Sequence, residues 1–306
     1  MNVIDIDADL LEQGAAASRH SARQAQIHMD GEIACLDASG VPKLLETLTP
    51  TGPWAWAIMP QMRPDGTVMI PIATTRAEIG DCYRVTRTRS NVLGFEPLLE
   101  IRGLWYTFQE GVSRTYTPST GTYAETETIA LFPVTSSDGI TGELAWWKMP
   151  RALLGAGRVE AEEDAVDDPL SVRRTALAQH DHYLDILRHG GTDELADVLE
   201  DGVQSAVRDY DDDTGTLIGL DGLADHQDFY DRLFRRFAID EVLLLERVVQ
   251  DWYVFAEMRI TAVIRDGRDI GRRVGFNIAE FLIPAADGRF IARIGHGTDI
   301  APVREA

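Results

Sequence analysis

A short aromatic pattern occurs twice in this chain of 306 residues and constrains its fold more than any other feature. Trp105–Phe108 reads Trp-Tyr-Thr-Phe and Trp252–Phe255 reads Trp-Tyr-Val-Phe, so the two tryptophans (105 and 252) lie 147 residues apart. Tyr83 and Tyr230 keep the same spacing. Solenoid repeats are only about 20–50 residues long, so this period indicates a whole domain that was duplicated and fused. The alternative is a chance likeness between two aromatic strands.

The formal net charge of −21 excludes some classes of partner. Nucleic-acid binding needs a basic surface, and anionic membranes would repel so acidic a chain. No apolar stretch is long enough to span a bilayer, and the acidic N-terminus lacks a signal-peptide pattern, so we expect a cytoplasmic protein. Cys35 and Cys82 are too few for a disulfide framework and do not have a metal-binding spacing.

The order of helical and strand patterns predicts the domain organisation. We expect a loose leader at 1–18, a first domain at 19–150, an acidic linker at 151–168 and a second domain at 169–306. In each half, segments with helical periodicity precede β-rich segments that are separated by turn residues. Helices followed by an antiparallel sheet make an α+β fold rather than a doubly wound one.

Several short motifs give the second half a family resemblance. They are Leu187–Leu195 with its Gly-Gly step, Gly219–Leu223 before the third helix, and, in the last hairpin, Ala279–Phe281, Asp287–Arg289 and His296–Asp299. Over roughly 168–300 the chain resembles the SnoaL-like and ketosteroid isomerase-like members of the nuclear transport factor 2-like superfamily. The resemblance implies two cystatin-like cone domains, each with helices packed on a curved antiparallel sheet.

The same resemblance nominates four catalytic residues in the second half: Tyr183, Asp209, Glu280 and His296. An apolar pocket raises the pKa of a carboxylate toward that of a useful base, and a tyrosine or neutral acid can donate to developing negative charge. Such chemistry needs no cofactor, and the sequence has no phosphate loop, nucleophile elbow or metal-binding motif.

Each of these residues also has a purely structural interpretation. Tyr183 could be a core residue, Asp209 part of an exposed acidic run, and His296 a satisfied strand histidine. Glu280 interrupts an apolar strand, where an acid is costly unless it is paired, and Arg259 or Arg273 could pair with it.

The corresponding positions of the first half are less polar. They are Glu32, Met59, Leu131 and Trp147. This predicts a divergent first domain with an apolar, tryptophan-rich lining.

We therefore expect a cofactor-independent lyase, dehydratase or isomerase that acts on a hydrophobic cyclic or aromatic molecule, such as a polyketide, a steroid or a lignin-derived compound. The alternatives are a non-catalytic ligand-binding or assembly module and a small subunit of an oxygenase. A cavity holding Tyr183, Asp209 and Glu280 would favour the enzyme, and a cone filled with side chains would favour the module. The duplication also predicts an intramolecular pseudo-dimer of the two halves, with a further homo-oligomer left open.

Overall fold

The computed structural model describes residues 8–58, 60–64, 67–135, 137–150, 154, 168–211 and 214–303. Most of the expected linker, and Met59, lie outside these ranges. The chain forms two compact units, one made of 1–59 and 73–148 and the other of 60–72 and 149–306.

The first unit has three helices before its main antiparallel strands. Its elements are α1 (Ala8–Ala34), α2 (Val41–Leu45), β1 (Ala55–Ala57), α3 (Arg76–Arg89), β4 (Asn91–Arg102), β5 (Tyr106–Thr117), β6 (Thr122–Pro133) and β7 (Gly142–Trp147). The sheet order is β1-β7-β6-β5-β4, with β1 parallel to β7 and the other neighbours antiparallel. α1 packs on β4 and β5.

Two details of the first unit bear on the sequence predictions. Either Thr74 or Thr75 was expected to cap α3, and Thr75 does so: its hydroxyl accepts from the Glu78 N–H while the Glu78 carboxylate accepts from the Thr75 N–H. The expected loose leader is wrong from Ala8 onward, since α1 already begins there. The alanines of this stretch have the highest helix propensity of any residue.

A hairpin from the first half of the sequence belongs to the second compact unit. It consists of β2 (Gln61–Met62) and β3 (Val68–Met69). The side chains of Thr67 and Ile72 pass so close to Gly202 and Gly219 that a Cβ at either glycine would lie 3.0 Å away. The missing glycine side chains therefore make room for the hairpin. The sequence had assigned all of 19–150 to one domain.

The second unit repeats the plan of the first. Its further elements are α4 (Pro169–His189), α5 (Leu195–Val198), β8 (Leu199–Arg208), β9 (Leu217–Asp221), α6 (Gly222–Arg236), β10 (Phe237–Val249), β11 (Val254–Ile264), β12 (Arg273–Pro284), β13 (Phe290–Gly297) and β14 (Ala301–Pro302). The strand order is β10-β11-β12-β13-β8-β9, and β14 pairs with β12. β8 runs parallel to β13, just as β1 runs parallel to β7 in the first unit.

Irregularities in the edge strands β4 and β10 repeat as well. β4 has register shifts after Val92 and Pro97, and β10 has them after Ile239 and Leu244. Both pairs of shifts keep the 147-residue spacing of the two tryptophans. β-Bulges bend a strand and increase its twist, so the two sheets curve at matching places. The α+β prediction, with helices packed on a curved sheet in each half, is confirmed.

The ends of α4 also follow from local sequence. The Asp168 side chain accepts from the Leu170 N–H at the start of the helix, and Gly190 ends it with a φ of 77°, a conformation that favours glycine. Within the described ranges, none of the helices is both long enough and apolar enough to cross a membrane.

Candidate active site

Two of the four predicted catalytic residues meet in the interior of the second unit. Tyr183 on α4 and Glu280 on β12 are both fully buried. Arg293 on β13 connects them: its Nε donates to Glu280 Oε2 at 2.6 Å, and its guanidinium carbon lies 5.8 Å from the centre of the Tyr183 ring. The Tyr183 hydroxyl forms a 2.6 Å hydrogen bond with that of Tyr230 on α6.

Glu280 therefore has an arginine partner, but not the expected one. Arg273 pairs instead with Asp240, at 3.3 Å. Arg259 stands directly opposite Asn277 in the β-ladder, three positions along β12 from Glu280. Successive strand residues alternate between the two faces, so the side chains of Asn277 and Glu280 lie on opposite faces of the sheet. The sequence analysis considered arginines of β11 and β12 only, whereas Arg293 lies on β13, the other neighbour of β12.

His296 and Asp209 have different surroundings. His296 is buried, and burial lowers the pKa of its imidazole to about 4. Its Nδ1 lies 2.8 Å from the N–H of Gly297. Asp209 follows β8 in a turn, where its carboxylate accepts from the Asp211 N–H at 2.9 Å. No contact among the described residues joins Asp209 to Tyr183, Glu280 or His296.

The cavity beside this group is very small. Arg293, His296 and Tyr230 help to line a space of about 10 Å³, which is about what one water molecule needs. This space is too small for a substrate. The catalytic role of Tyr183, Asp209, Glu280 and His296 stays a prediction.

The first unit contains a much larger cavity, of about 290 Å³. Its apolar lining includes Met29, Ile58, Phe95 and Trp147. Trp147 was expected in the lining from the sequence. A cavity of this size is close to the lower end of the range for small-molecule sites, about 300–1,000 Å³.

One wall of this otherwise largely apolar cavity is polar. Ser113 and Thr126, which face each other on β5 and β6, line it together with Thr115 and Thr128. Two acids, Glu32 on α1 and Glu143 on β7, line it as well.

Glu143 belongs to a buried chain of hydrogen bonds. It accepts a short hydrogen bond from the Tyr83 hydroxyl, and this hydroxyl lies 2.9 Å from Nε2 of His28. The same Nε2 lies 3.4 Å from Glu143 Oε2, and the other ring nitrogen, Nδ1, lies 2.6 Å from the Thr47 hydroxyl. His28 and Tyr83 are fully buried, and Glu143 is 5% exposed.

Glu32 lies one helical turn after His28 on α1, and its partner Arg87 lies one turn after Tyr83 on α3. Arg87 Nη2 donates to Glu32 Oε1 at 2.9 Å. Despite this contact the pKa of Glu32 is raised to about 7, mainly by burial and secondly by repulsion from Glu143.

The same side chains could hold a metal ion. His28, Glu32 and Glu143 each offer a nitrogen or oxygen ligand atom, and these atoms all lie within 4.8 Å of one another. Imidazole and carboxylate ligands suit several divalent ions. Arg87 disfavours a cation here, because its positive charge already forms an ion pair with Glu32. His28 and Glu32 are one helical turn apart, but Glu143 lies 115 residues after His28, so spacing alone did not predict this group.

In the comparison of the two halves, Glu280 corresponds to Leu131, and this correspondence does not lead to the cavity of the first unit. Thr128 and Ala130 on β6 line the cavity, and the described lining does not include Leu131, the residue after Ala130. Side chains alternate between the faces of a strand, so a shift of one residue exchanges the cavity face for the opposite one. His28, Tyr83, Arg87 and Glu143 were not nominated at all.

Several solved structures are similar to part of this chain. A SnoaL-like polyketide cyclase from Agrobacterium tumefaciens str. C58 is 18% identical, with a TM-score of 0.32, covering 40% of this chain and 91% of that one. An LEH-like epoxide hydrolase from M. tuberculosis is 18% identical, with a TM-score of 0.32, covering 41% of this chain and 84% of that one. The epoxide hydrolase/cyclase-like enzyme SalBIII, which has a role in pyran ring formation in the polyether salinomycin, is 14% identical, with a TM-score of 0.34, covering 44% of this chain and 98% of that one.

No protein-family model matches the sequence, and no curated protein matches it. The fold assignment rests on the order of elements and the sheet topology of each unit.

Proposed function

We propose that the first unit catalyses a cofactor-independent acid–base reaction of the lyase, dehydratase or isomerase type on a hydrophobic cyclic or aromatic small molecule. The observation that carries this proposal is that two carboxyl groups in different environments, Glu32 and Glu143, line the same 290 Å³ cavity. A carboxyl group that lies in a cleft and has a strongly raised pKa is a typical candidate for acid–base chemistry, and Glu32 meets both conditions.

Glu32 is the general base in this proposal. Its pKa of about 7 matches the pH at which the reaction would run, so that it is ionised often enough and still basic enough to remove a proton. Arg87 donates a hydrogen bond to one oxygen of this carboxylate, Oε1. A substrate in the cavity would meet the carboxyl group from the other side.

Glu143 and Tyr83 form the second half of the proposed machinery. After Glu32 has taken a proton, its carboxylic acid would return that proton to the substrate oxygen on which charge develops or from which the leaving group departs. The Glu143 carboxylate would accept hydrogen bonds from substrate hydroxyls. The hydrogen bond from Tyr83 fixes the orientation of the carboxylate. Apolar side chains such as Phe95 and Trp147 would bind the ring system, and the hydroxyls of β5 and β6 would bind polar substituents.

For the second unit we propose a non-catalytic role, which was the alternative to an enzyme. The support is its 10 Å³ interior space and the ion pair between Glu280 and Arg293, which neutralises the nominated acid. Under this proposal the machinery that was expected in the second half is used for packing.

The test is ligand binding and turnover with single-residue variants of the full chain. A panel of cyclic and aromatic compounds would be screened for binding by thermal shift, and the compounds that bind would be followed for conversion by mass spectrometry. Glu32→Gln should lower the rate of conversion about 10²–10⁴-fold, whereas Glu46→Gln, the same change at an exposed acid of the same unit, should leave it unchanged. The proposal would be contradicted if Glu280→Gln lost conversion while Glu32→Gln converted substrate as fast as wild type.

A further inference from the structure

Gln109 is a buried residue of the cavity wall, and its amide is only partly hydrogen-bonded. It lies on β5, is 3% exposed and lines the 290 Å³ cavity of the first unit. Its Nε2 donates to Glu100 Oε2 at 2.7 Å, whereas its Oε1 has no hydrogen-bond partner within the described part of the chain. A buried polar atom without a partner is costly, so a ligand that bonds to this oxygen would remove that cost.

The surroundings of Gln109 determine which of its amide atoms is left over. Glu100 stands directly opposite Gln109 in the β4–β5 ladder, and the other oxygen of its carboxylate, Oε1, accepts from Arg102 Nε. A carboxylate can only accept, so Gln109 must turn its NH₂ group toward Glu100. The atom that remains is therefore the carbonyl oxygen, and a ligand has to bring a donor to it.

The strand register places Gln109 in line with two small side chains. Gln109 is paired with Ala130 on β6, and Ala130 is paired with Ala145 on β7, so the three residues form one row across the sheet. All three line the cavity. Neighbouring strands lie about 4.8 Å apart, so this row is about 10 Å wide. A methyl side chain fills little space, and a flat ring can therefore lie on the two alanines.

The two acids and an aromatic ring lie at the margins of this row. Glu143 is on β7, two residues before the alanine at the end of the row, so its side chain is on the same face. Its carboxylate and that of Glu32 offer oxygens within 4.8 Å of each other. Next to Gln109 on this face, Gly111 has no side chain, and a Cβ there would overlap the ring of Phe95. A ring on the alanines would thus have the acids at one end, Gln109 at the other and Phe95 along its side.

The charges of the described lining disfavour anions. This lining contains two acids, Glu32 and Glu143, but no lysine or arginine. Arg87, which is not part of it, already pairs with Glu32. A carboxylate or phosphate group on a ligand would therefore lose its water without gaining a group of opposite charge, which is costly.

We propose that the cavity of the first unit selects uncharged cyclic compounds that carry a hydroxyl group, and that Gln109 is the residue that selects them. The hydroxyl donates to Gln109 Oε1 while the ring lies on Ala130 and Ala145. A site built to bond a hydroxyl rejects analogues that lack it, because its buried acceptor is then left unpaired. That such a compound is also the substrate rests on the proposed function, whereas its binding does not.

Isothermal titration of the full chain with matched naphthalenes tests this selection. The probes are 1-naphthol and 2-naphthol, their methyl ethers and the two naphthalene carboxylates, at neutral pH, where the naphthols keep their proton. We expect a naphthol to bind about tenfold more tightly than its methyl ether, and the carboxylates not to bind. Naphthols that do not bind, or that bind no better than their ethers or the carboxylates, would overturn the proposal.

Gln109→Met keeps a side chain of similar length but removes the acceptor. It should abolish the preference by weakening the naphthol and leaving the ether unchanged, whereas a general change of cavity shape would weaken both alike. Gln26→Met is the matched control, because Gln26 is exposed on α1 and its Nε2 also donates to an acid, Asp30, at 2.8 Å. The control should leave every affinity unchanged. A preference that survives in Gln109→Met would show that another group selects the hydroxyl.

If Gln109→Met does not fold, a crystal of the wild-type chain soaked with the preferred naphthol decides. The naphthol hydroxyl should lie about 2.5–3.0 Å from Gln109 Oε1. A hydroxyl that bonds elsewhere in the cavity would overturn the proposal.

This proposal and the proposed function fail separately. A preference for the naphthol that depends on Gln109, together with full turnover in Glu32→Gln, would refute the proposed function and leave the selection intact. Equal binding of naphthol and ether, together with a loss of turnover in Glu32→Gln, would refute the selection alone.

Discussion

The Tyr83 hydroxyl donates to the Glu143 carboxylate, and this bond joins the third helix of the first unit to the last strand of its sheet. In the second unit the repeat-related Tyr230 bonds instead to another phenol, that of Tyr183. Arg293, on the last long strand of that sheet, lies beside both rings, with its guanidinium carbon 5.8 Å and 5.5 Å from their centres. The same fold thus places an acid, Glu143, beside a cavity in the first unit and a cation, Arg293, beside two buried phenols in the second.

Turnover should depend on the ionisation of Glu32. Because its pKa is raised to about 7, the base form accumulates as the pH rises through that value. We therefore expect the rate to rise across about pH 7 and level off above it, and Glu32→Gln to lower it about 10²–10⁴-fold. A pH–rate profile of wild type and variant measures this. A rate that is flat across this range in wild type would contradict the assignment.

Filling the cavity of the first unit should remove ligand binding without unfolding the chain. Ala145 on β7 lines the cavity, so Ala145→Leu would place a larger side chain where a ligand has to lie. Isothermal titration with a compound that binds wild type should show no binding, while thermal unfolding stays close to that of wild type. The control is Ala16→Leu on the exposed side of α1. Unchanged affinity in Ala145→Leu would mean that ligands bind elsewhere.

Breaking the buried ion pair of the second unit should be expensive. Arg293→Leu leaves the fully buried Glu280 without its partner, which typically costs about 3–5 kcal/mol of unfolding free energy. The half-exposed pair between Arg273 and Asp240 is a control, and Arg273→Ala should cost about 1 kcal/mol or less. Chemical denaturation of the full chain measures both. Equal effects of the two substitutions would show that Glu280 is not held by Arg293.

Acid should destabilise the second unit through His226. Its Nδ1 lies 2.7 Å from the Gly222 carbonyl and its Nε2 lies 2.6 Å from the Ser205 hydroxyl, so the neutral ring satisfies both contacts. Burial lowers the pKa of His226 to about 4, below the ordinary value of 6.5. The unfolded chain therefore binds more protons between these values, and stability is lost as the pH falls from about 6.5 toward 4.

This loss is on the order of 3 kcal/mol at the acid end, since each pKa unit is worth about 1.4 kcal/mol. His226→Asn can keep the contact to Gly222 but cannot titrate, so it should flatten the dependence of the melting temperature on pH. His182→Asn, at a partly exposed histidine, should not. An unchanged acid slope in His226→Asn would show that His226 does not carry this effect.

The fold could be predicted from the sequence because its signals are local and occur twice. The tryptophan pattern, the cap at Thr75 and the glycine step at Gly190 each act within a few residues. The leader was wrong from Ala8, where a helix begins that its alanines favour through their helix propensity. The assignment of the β2–β3 hairpin to the second unit depends on contacts far apart in the sequence, with Gly202 and Gly219.

The candidate site was harder to predict, because it depends on strand faces and on contacts between distant residues. Leu131 was compared with Glu280, although the neighbouring Ala130 lines the cavity. His28 meets Tyr83 across 55 residues and Glu143 across 115 residues of sequence. Nothing in a single sequence indicates such pairs. The i and i+4 spacing of His28 with Glu32, and of Tyr83 with Arg87, was the available signal, since residues so spaced share one helix face.

The central claim is that the working cavity is the one in the first unit, and a ligand-bound structure of the full chain tests it most directly. Crystals soaked with cyclic and aromatic compounds that bind in solution should show the ligand between Glu32 and Glu143, with its ring near Trp147. A ligand found only in the second unit, beside Arg293 and His296, would contradict the account.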